Sequence, residues 1–200
     1  MEIGYENDVQ GLSEYLLVAR PDPNVCDKVR QEKQLFFDTY KQGVALQNPP
    51  HIKIANFHAN EAMEETVIRW IQRICSQYKS FPVTLNNYSG FPSHTIYVRI
   101  QDHAPFKQLA DQLAVIDEYV QSNGYPQARL VYRPHVTIAN GLGNKVYDWA
   151  MSDYSQKTFH ETFMMEELIL LKRNNQFDTC KQVNLFRFYP PDTNLYNRVA

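Results

Sequence analysis

Cysteine is scarce in this sequence of 200 residues: Cys26, Cys75 and Cys180 are far apart and odd in number. They make no CxxC pair and no zinc-ligand spacing, so neither a disulfide framework nor a structural zinc centre organises the chain. Cys75 falls beside the apolar face of an expected helix, where a reduced thiol packs as a small hydrophobe, and a reducing compartment fits that reading. No apolar run approaches the roughly 20 residues that span a bilayer, so no membrane partner is expected. The stretch Met1 to Asp8 lacks the basic and apolar regions of a signal peptide, and the expected location is cytoplasmic. An excess of one charge is also lacking. The net charge of −2 gives no broad field to attract duplex DNA, although a few local cations could hold a small anion or a short nucleic acid. No linker rich in glycine, serine or charge divides the chain. What remains is 44% hydrophobic and 13% aromatic, enough at this length for a substantial core in one domain or two packed lobes.

Against that plain background one repeat stands out. Pro50-His51-Ile52-Lys53-Ile54-Ala55-Asn56 returns as Pro134-His135-Val136-Thr137-Ile138-Ala139-Asn140, with five of the seven positions identical. Ile52 and Val136 are a conservative pair, so Lys53 against Thr137 is the one change of chemical kind. Each copy sets a histidine in a β-branched, strand-like run, which suggests one site between two related halves.

The flanking patterns repeat as well. A strand over 14–19 precedes a helix opened by Asp22-Pro23-Asn24, with Val25, Val29, Phe36 and Tyr40 on one face and Gly43 as its stop. Gln47-Asn48-Pro49-Pro50 enforces an extended approach to the first histidine strand, 51–57. Asn60 caps a second helix with acidic residues at its positive end and an apolar stripe of Met63, Val67, Trp70, Ile71, Ile74 and Tyr78. Phe81, Val83 and Leu85 alternate, as do Ile96, Val98 and Ile100, and 86–93 reads as the loop between them. In the second half Pro105 opens a helix with Phe106, Leu109, Leu113, Ile116 and Val120 on one face, and Gly124 closes it. The second histidine strand, 132–140, follows. Val146, Trp149 and Ala150 then suggest a short helix, and strands over 165–172 and 183–189 flank a loop at 173–178. Both halves offer helix, histidine strand, helix, strand, loop, strand. The expectation is one bilobal domain over 1–200, with lobes near 13–102 and 103–189, strand exchange between them allowed, and a tail over 190–200.

Alternation along a strand puts His51, Lys53 and Ala55 on one face, and Arg133, His135, Thr137 and Ala139 on the equivalent face. Ile52, Ile54, Val136 and Ile138 point the other way, and the small alanines are expected to leave room against the sheet. Two histidines across a cleft can serve as general base and general acid, because their ordinary pKa of about 6.5 allows both protonation states near neutrality. A hydroxyl or ammonium two residues later can donate to an oxyanion held between them. Phosphodiester cleavage needs that set, and it needs no metal if these groups supply the work.

A histidine followed two residues later by threonine or serine, occurring once per half of a duplicated α+β chain, resembles the two-histidine phosphoesterase superfamily. The likeness is nearest to its 2′-5′ RNA ligase-like branch, which includes RNA cyclic phosphodiesterases, and it covers roughly residues 13 to 189. The second motif matches well; in the first, Lys53 stands where threonine or serine is expected. The resemblance implies two lobes, each an antiparallel sheet with helices outside, lining a central groove. It implies metal-independent, cofactor-free hydrolysis of 2′,3′-cyclic or 2′-5′ phosphodiesters of RNA or nucleotides, or reversible 2′-5′ RNA ligation. Carried over, His51 and His135 are the catalytic pair and Thr137 a phosphate ligand, with Lys53 in the other ligand position.

Lys53 is further expected to depress the pKa of His51, making it the base and His135 the acid. Arg133 shares the histidine face and can reach a phosphate. Tyr88 and Phe91 lie in the expected loop, where a base could stack on them. Phe57 is read as core, and Lys172 and Arg173 as a charged strand end. His58, His94, His103 and His160 lack pairing and are read as surface or capping residues. The partner is an RNA terminus or small nucleotide, and the chain is expected to be a monomer. Two rival readings use the same residues: a non-catalytic nucleotide- or RNA-binding module, and a structural protein whose histidines only complete hydrogen-bond networks.

Overall fold

Alternating burial makes Leu12–Ala19 the first strand, β1, in a computed structural model that describes residues 12–43, 46, 48–175 and 178–190. Met1 to Asp8, Gln47, the loop residues Gln176 and Phe177, and 191–200 of the expected tail lie outside the described residues. Helix α1, Pro23–Tyr40, starts where its cap requires: the Asp22 carboxylate accepts from the Val25 amide at 2.9 Å. It ends at Tyr40 rather than Gly43, because Lys41 itself adopts the left-handed conformation at φ 56°. Strand β2, Ile52–Asn60, runs directly into α2, Glu61–Cys75, whose cap Asn60 accepts from the Met63 amide at 3.1 Å. Met63, Val67 and Ile71 form the buried centre of the predicted stripe, Cys75 is buried beside them, and Trp70, Ile74 and Tyr78 pack at its edge.

Strand β3, Phe81–Phe91, extends through the stretch expected to be a loop, and the turn before β4, Thr95–Ile100, is confined to 92–94. The polar residues stay in the sheet because the register slips between Leu85 and Tyr88, with Asn87 at φ 57°. Asn87 is pinned there by exchange with Phe159, its amide donating to the carbonyl at 2.7 Å and its side chain accepting from the amide at 3.1 Å. Helix α3, Ala104–Ser122, buries all five residues of its predicted stripe. A two-residue strand, β5 (Arg129–Leu130), pairs with β2, so β6 is only His135–Ala139, shorter than the expected 132–140. In α4, Asn144–Tyr154, the buried face is Tyr147, Ala150 and Tyr154, which leaves Trp149 56% exposed. Strands β7 (His160–Met165), β8 (Glu167–Arg173) and β9 (Lys181–Arg187) complete the chain; β7 was not among the sequence expectations.

The strands lie in the order β7-β3-β4-β6-β2-β1-β8-β9 and pair antiparallel, with the single registered pair Ile52–Val136 joining β2 to β6. That thin seam divides the sheet into two halves. Helices α1 and α4 pack against β7-β3-β4-β6; α2 and α3 pack against β2-β1-β8-β9. This is the α+β architecture of two antiparallel layers with helices outside that the sequence implied. Neither half of the sheet is built from a continuous half of the chain. Strands β1 and β2 alone would be a marginal two-stranded ribbon, and they gain a stable sheet by taking β8 and β9 from the distant half. Among the described residues, no helix is long and apolar enough to cross a membrane.

Candidate active site

The seam positions the repeated motifs. Ile52 and Val136 face one another with no exposed surface, so the residues on either side of each must point to the open face. Continuing the antiparallel register from that pair sets His51 opposite Thr137 and Lys53 opposite His135. The result is a two-by-two cluster with approximate two-fold symmetry. His51, His135 and Thr137 are half-buried and Lys53 is exposed.

Both strands leave this pattern at the same repeat position. Between β1 and β2 the partners pass from Leu17–Ala55 to Val18–Lys53, so Ile54 is an extra residue. Between β4 and β6 they pass from Ile96–Ala139 to Tyr97–Thr137, so Ile138 is extra. Each is a β-bulge, and each reverses the alternation that follows it. Ala55 and Ala139 are therefore buried, at 2% and 1% exposure, beside Ile54 and Ile138. They do not line the open face as strict alternation predicts. The bulge confines the polar face of each motif to the histidine and the residue two beyond it.

The backbone before each motif fixes the histidine rings. His51 Nδ1 lies 3.0 Å from the Pro49 carbonyl, and the Arg133 carbonyl is the corresponding backbone acceptor for His135. A carbonyl only accepts, so in neutral His51 Nδ1 carries the proton and Nε2 keeps its lone pair for chemistry. The loop before His51 is tied to α1 by Lys33, whose Nζ donates to the Asn48 carbonyl at 3.1 Å. Both histidines are held below the usual imidazole pKa, first by burial, which outweighs these backbone hydrogen bonds. Lys53 then lowers both of them further. The expected bias of Lys53 toward His51 alone is thus corrected, because the seam register sets Lys53 across from His135. Lys33 and Arg20 add to the effect at His51, and His103 adds to it at His135.

Beside His135 a cavity of about 250 Å³ is lined by Phe91, Tyr97, Arg99, His103 and Arg133. The β4–β6 ladder delivers two of these, with Tyr97 opposite Thr137 and Arg99 opposite His135. The Phe91 ring meets His135 edge-on at 5.3 Å between centroids, and Tyr97 lies 4.5 Å from it. Phe91 and Arg133 are therefore brought to His135. Tyr88 is not: it is 7% exposed and packs edge-on against Tyr154 and Phe159. The bulge at Asn87 turns it into the core, which corrects its reading as an exposed stacking residue. Phe57 stacks on Tyr15 in the core. Lys172 and Arg173 pair with Glu64 and Glu14, as a charged strand end does.

Tyr97, Arg99 and His103 were missed by the sequence expectations. Tyr97 and Arg99 alternate with Ile96, Val98 and Ile100, so the polar face of β4 was a usable signal. His103, far from either motif in sequence, carried none. Among the described residues no carboxylate pairs with Arg20, Lys53, Arg99 or Arg133, so this face carries uncompensated positive charge on a chain that is net negative. Among the same residues, no group of three histidine, cysteine or acidic side chains is placed to hold a metal ion.

A sequence profile described as the 2′-5′ RNA ligase superfamily matches residues 21–177. No curated protein matches the chain. Solved structures share the fold. E. coli LigT complexed with 3′-AMP superposes with a TM-score of 0.64 at 14% identity, over 88% of this chain and 98% of LigT. TT0787 of Thermus thermophilus gives 0.65 at 14% identity, over 88% and 98% of the two chains.

Proposed function

Because the chain belongs to the 2′-5′ RNA ligase superfamily of two-histidine phosphoesterases, we propose that it is a metal-independent phosphodiesterase acting on 2′,3′-cyclic or 2′-5′ linkages of RNA termini or nucleotides. One observation carries the reading. Two histidines on equivalently bulged strands each hydrogen-bond the backbone carbonyl two residues upstream and share one face with Thr137 and Lys53. The uncompensated cations around them suit a phosphate, and the 3′-AMP held by LigT supports a nucleotide as the ligand class.

In hydrolysis of a cyclic phosphate, Nε2 of one histidine takes a proton from water as its oxygen bonds to phosphorus. The bond from phosphorus to one ribose oxygen breaks, and the other histidine, protonated at Nε2, gives that oxygen its proton. The pair ends with its protonation states exchanged, and solvent resets them. Thr137 Oγ1 and Lys53 Nζ donate to the non-bridging oxygens as charge builds on them. Run in the same direction, with the 5′-hydroxyl of a second strand in place of water, the same transfers form a 2′-5′ diester as the ring bond from phosphorus to the 3′ oxygen breaks, which is ligation.

The test is turnover of a 2′,3′-cyclic nucleotide in EDTA. His51→Ala and His135→Ala should each lower kcat/KM by about 10²- to 10⁴-fold, the usual contribution of a general acid or base. Full activity in either variant, or loss of activity on chelation, overturns the reading. Lys53 in the place of a hydroxyl residue favours one second reading, a module that binds nucleotides without turning them over. Affinity for 3′-AMP with no turnover across cyclic and 2′-5′ substrates would put that reading first.

A further inference from the structure

The proton transfers described above involve one phosphorus and four side chains, and they leave the cavity beside His135 without a task. His135 lines it but His51 and Lys53 do not, so it extends from the His135 side of the pair. Arg99 is the direct ladder partner of His135, which sets their Cβ atoms about 5 Å apart, and Arg133 is two residues upstream. The Arg99 guanidinium is held by one nitrogen only, Nε donating to the Asn86 carbonyl at 3.2 Å. Among the described residues neither arginine meets a carboxylate. The third polar wall is His103, whose Nδ1 is buried without a hydrogen-bond partner. A buried donor or acceptor left unbonded in this way calls for an explanation.

These features select the occupant. Guanidinium forks match the oxygens of phosphate, and a neutral base lodged here would leave two arginines without counter-charge. Phe91 and Tyr97 form the apolar wall, where the sugar or base attached to an anion can rest. Resting on the phosphodiesterase reading above, we propose that this pocket binds a second phosphate of the substrate. The preferred substrate is then a nucleotide phosphorylated at two positions, or the end of an oligonucleotide, in preference to a nucleoside with one phosphate.

The test compares calorimetric binding of adenosine 3′-monophosphate and adenosine 3′,5′-bisphosphate, which differ by one phosphate. The wild-type protein should bind the bisphosphate at least about tenfold more tightly, as one further charge-assisted contact provides. Arg99→Ala and Arg133→Ala should each bring the ratio to within about threefold, with Arg99→Lys intermediate because it keeps the charge and loses the fork. Both arginines are exposed, so these variants should fold, and their melting temperatures check it. Equal affinity of the wild type for the two ligands overturns the second-phosphate pocket and leaves the phosphodiesterase reading standing. Binding of neither ligand overturns the pocket, and turnover of the 2′,3′-cyclic nucleotide then decides the phosphodiesterase reading separately. A ratio that survives both alanine variants assigns the second phosphate elsewhere and also overturns the pocket.

Discussion

Lys53 acts on two histidines rather than one, and this sets the expected pH behaviour of the site. Burial lowers both imidazoles and Lys53 lowers both again, so in the free protein each gives up its proton at a lower pH than an ordinary imidazole does. Activity that needs a neutral base rises with pH through the pKa of that histidine. Activity that needs a protonated acid falls with pH through the pKa of the other. With both pKa values depressed, both limbs of the kcat/KM profile lie on the acid side of their usual positions. Lys53→Ala removes the shared cation, so both limbs should move to higher pH; movement of one limb alone would contradict the cross-strand placement of Lys53. At this scale the sequence showed His51, Lys53, His135 and Thr137 through the repeat, and Arg133 and Phe91 through their positions near it. It misjudged Tyr88 because a phenol in a polar stretch looks exposed, and only the backbone at Asn87 turns it inward.

Elements were legible wherever their periodicity is complete within one segment. The stripes of α1, α2 and α3 and the core faces of β3 and β4 follow from spacing alone. Bulges are different, because an extra residue exists only relative to a partner strand. Neither Ile54 nor Ile138 differs in its own sequence from a residue in regular alternation, and so the burial of Ala55 and Ala139 could not be foreseen. The hairpin that carries Phe91 offers a test of element packing. A Cβ on Gly90 would stand 2.5 Å from the Tyr147 hydroxyl and 2.9 Å from the Thr95 carbonyl oxygen, which is backbone of the facing strand. Gly90→Ala should therefore destabilise the protein by about 1–3 kcal/mol, the usual range for overpacking, measured as a lower denaturation midpoint. An unchanged midpoint would mean that the hairpin shifts freely.

Over the whole molecule, charge is distributed against its own total. A chain of net charge −2 gathers Arg20, Lys53, Arg99 and Arg133 around the motifs, with no described carboxylate paired to them. Binding of a short single-stranded RNA should weaken with salt, with a log–log slope of roughly −0.7 per phosphate neutralised. Arg133→Ala should make that slope shallower by about the same amount; an unaltered slope would remove Arg133 from the phosphate path. Topology was the least legible level, since strand order depends on pairings between residues more than 100 positions apart, such as Glu14 with Arg173. Its consequence is temporal. A lengthening chain makes the first strands of the β2-β1-β8-β9 lobe early and must wait for Lys181–Arg187 to finish it. The other lobe is nested inside that interval, from Pro23 in α1 to Met165 in β7. One lobe is thus begun first and closed last around the other. The two histidine strands meet across a seam whose far side is completed only when nearly all of these elements have been made.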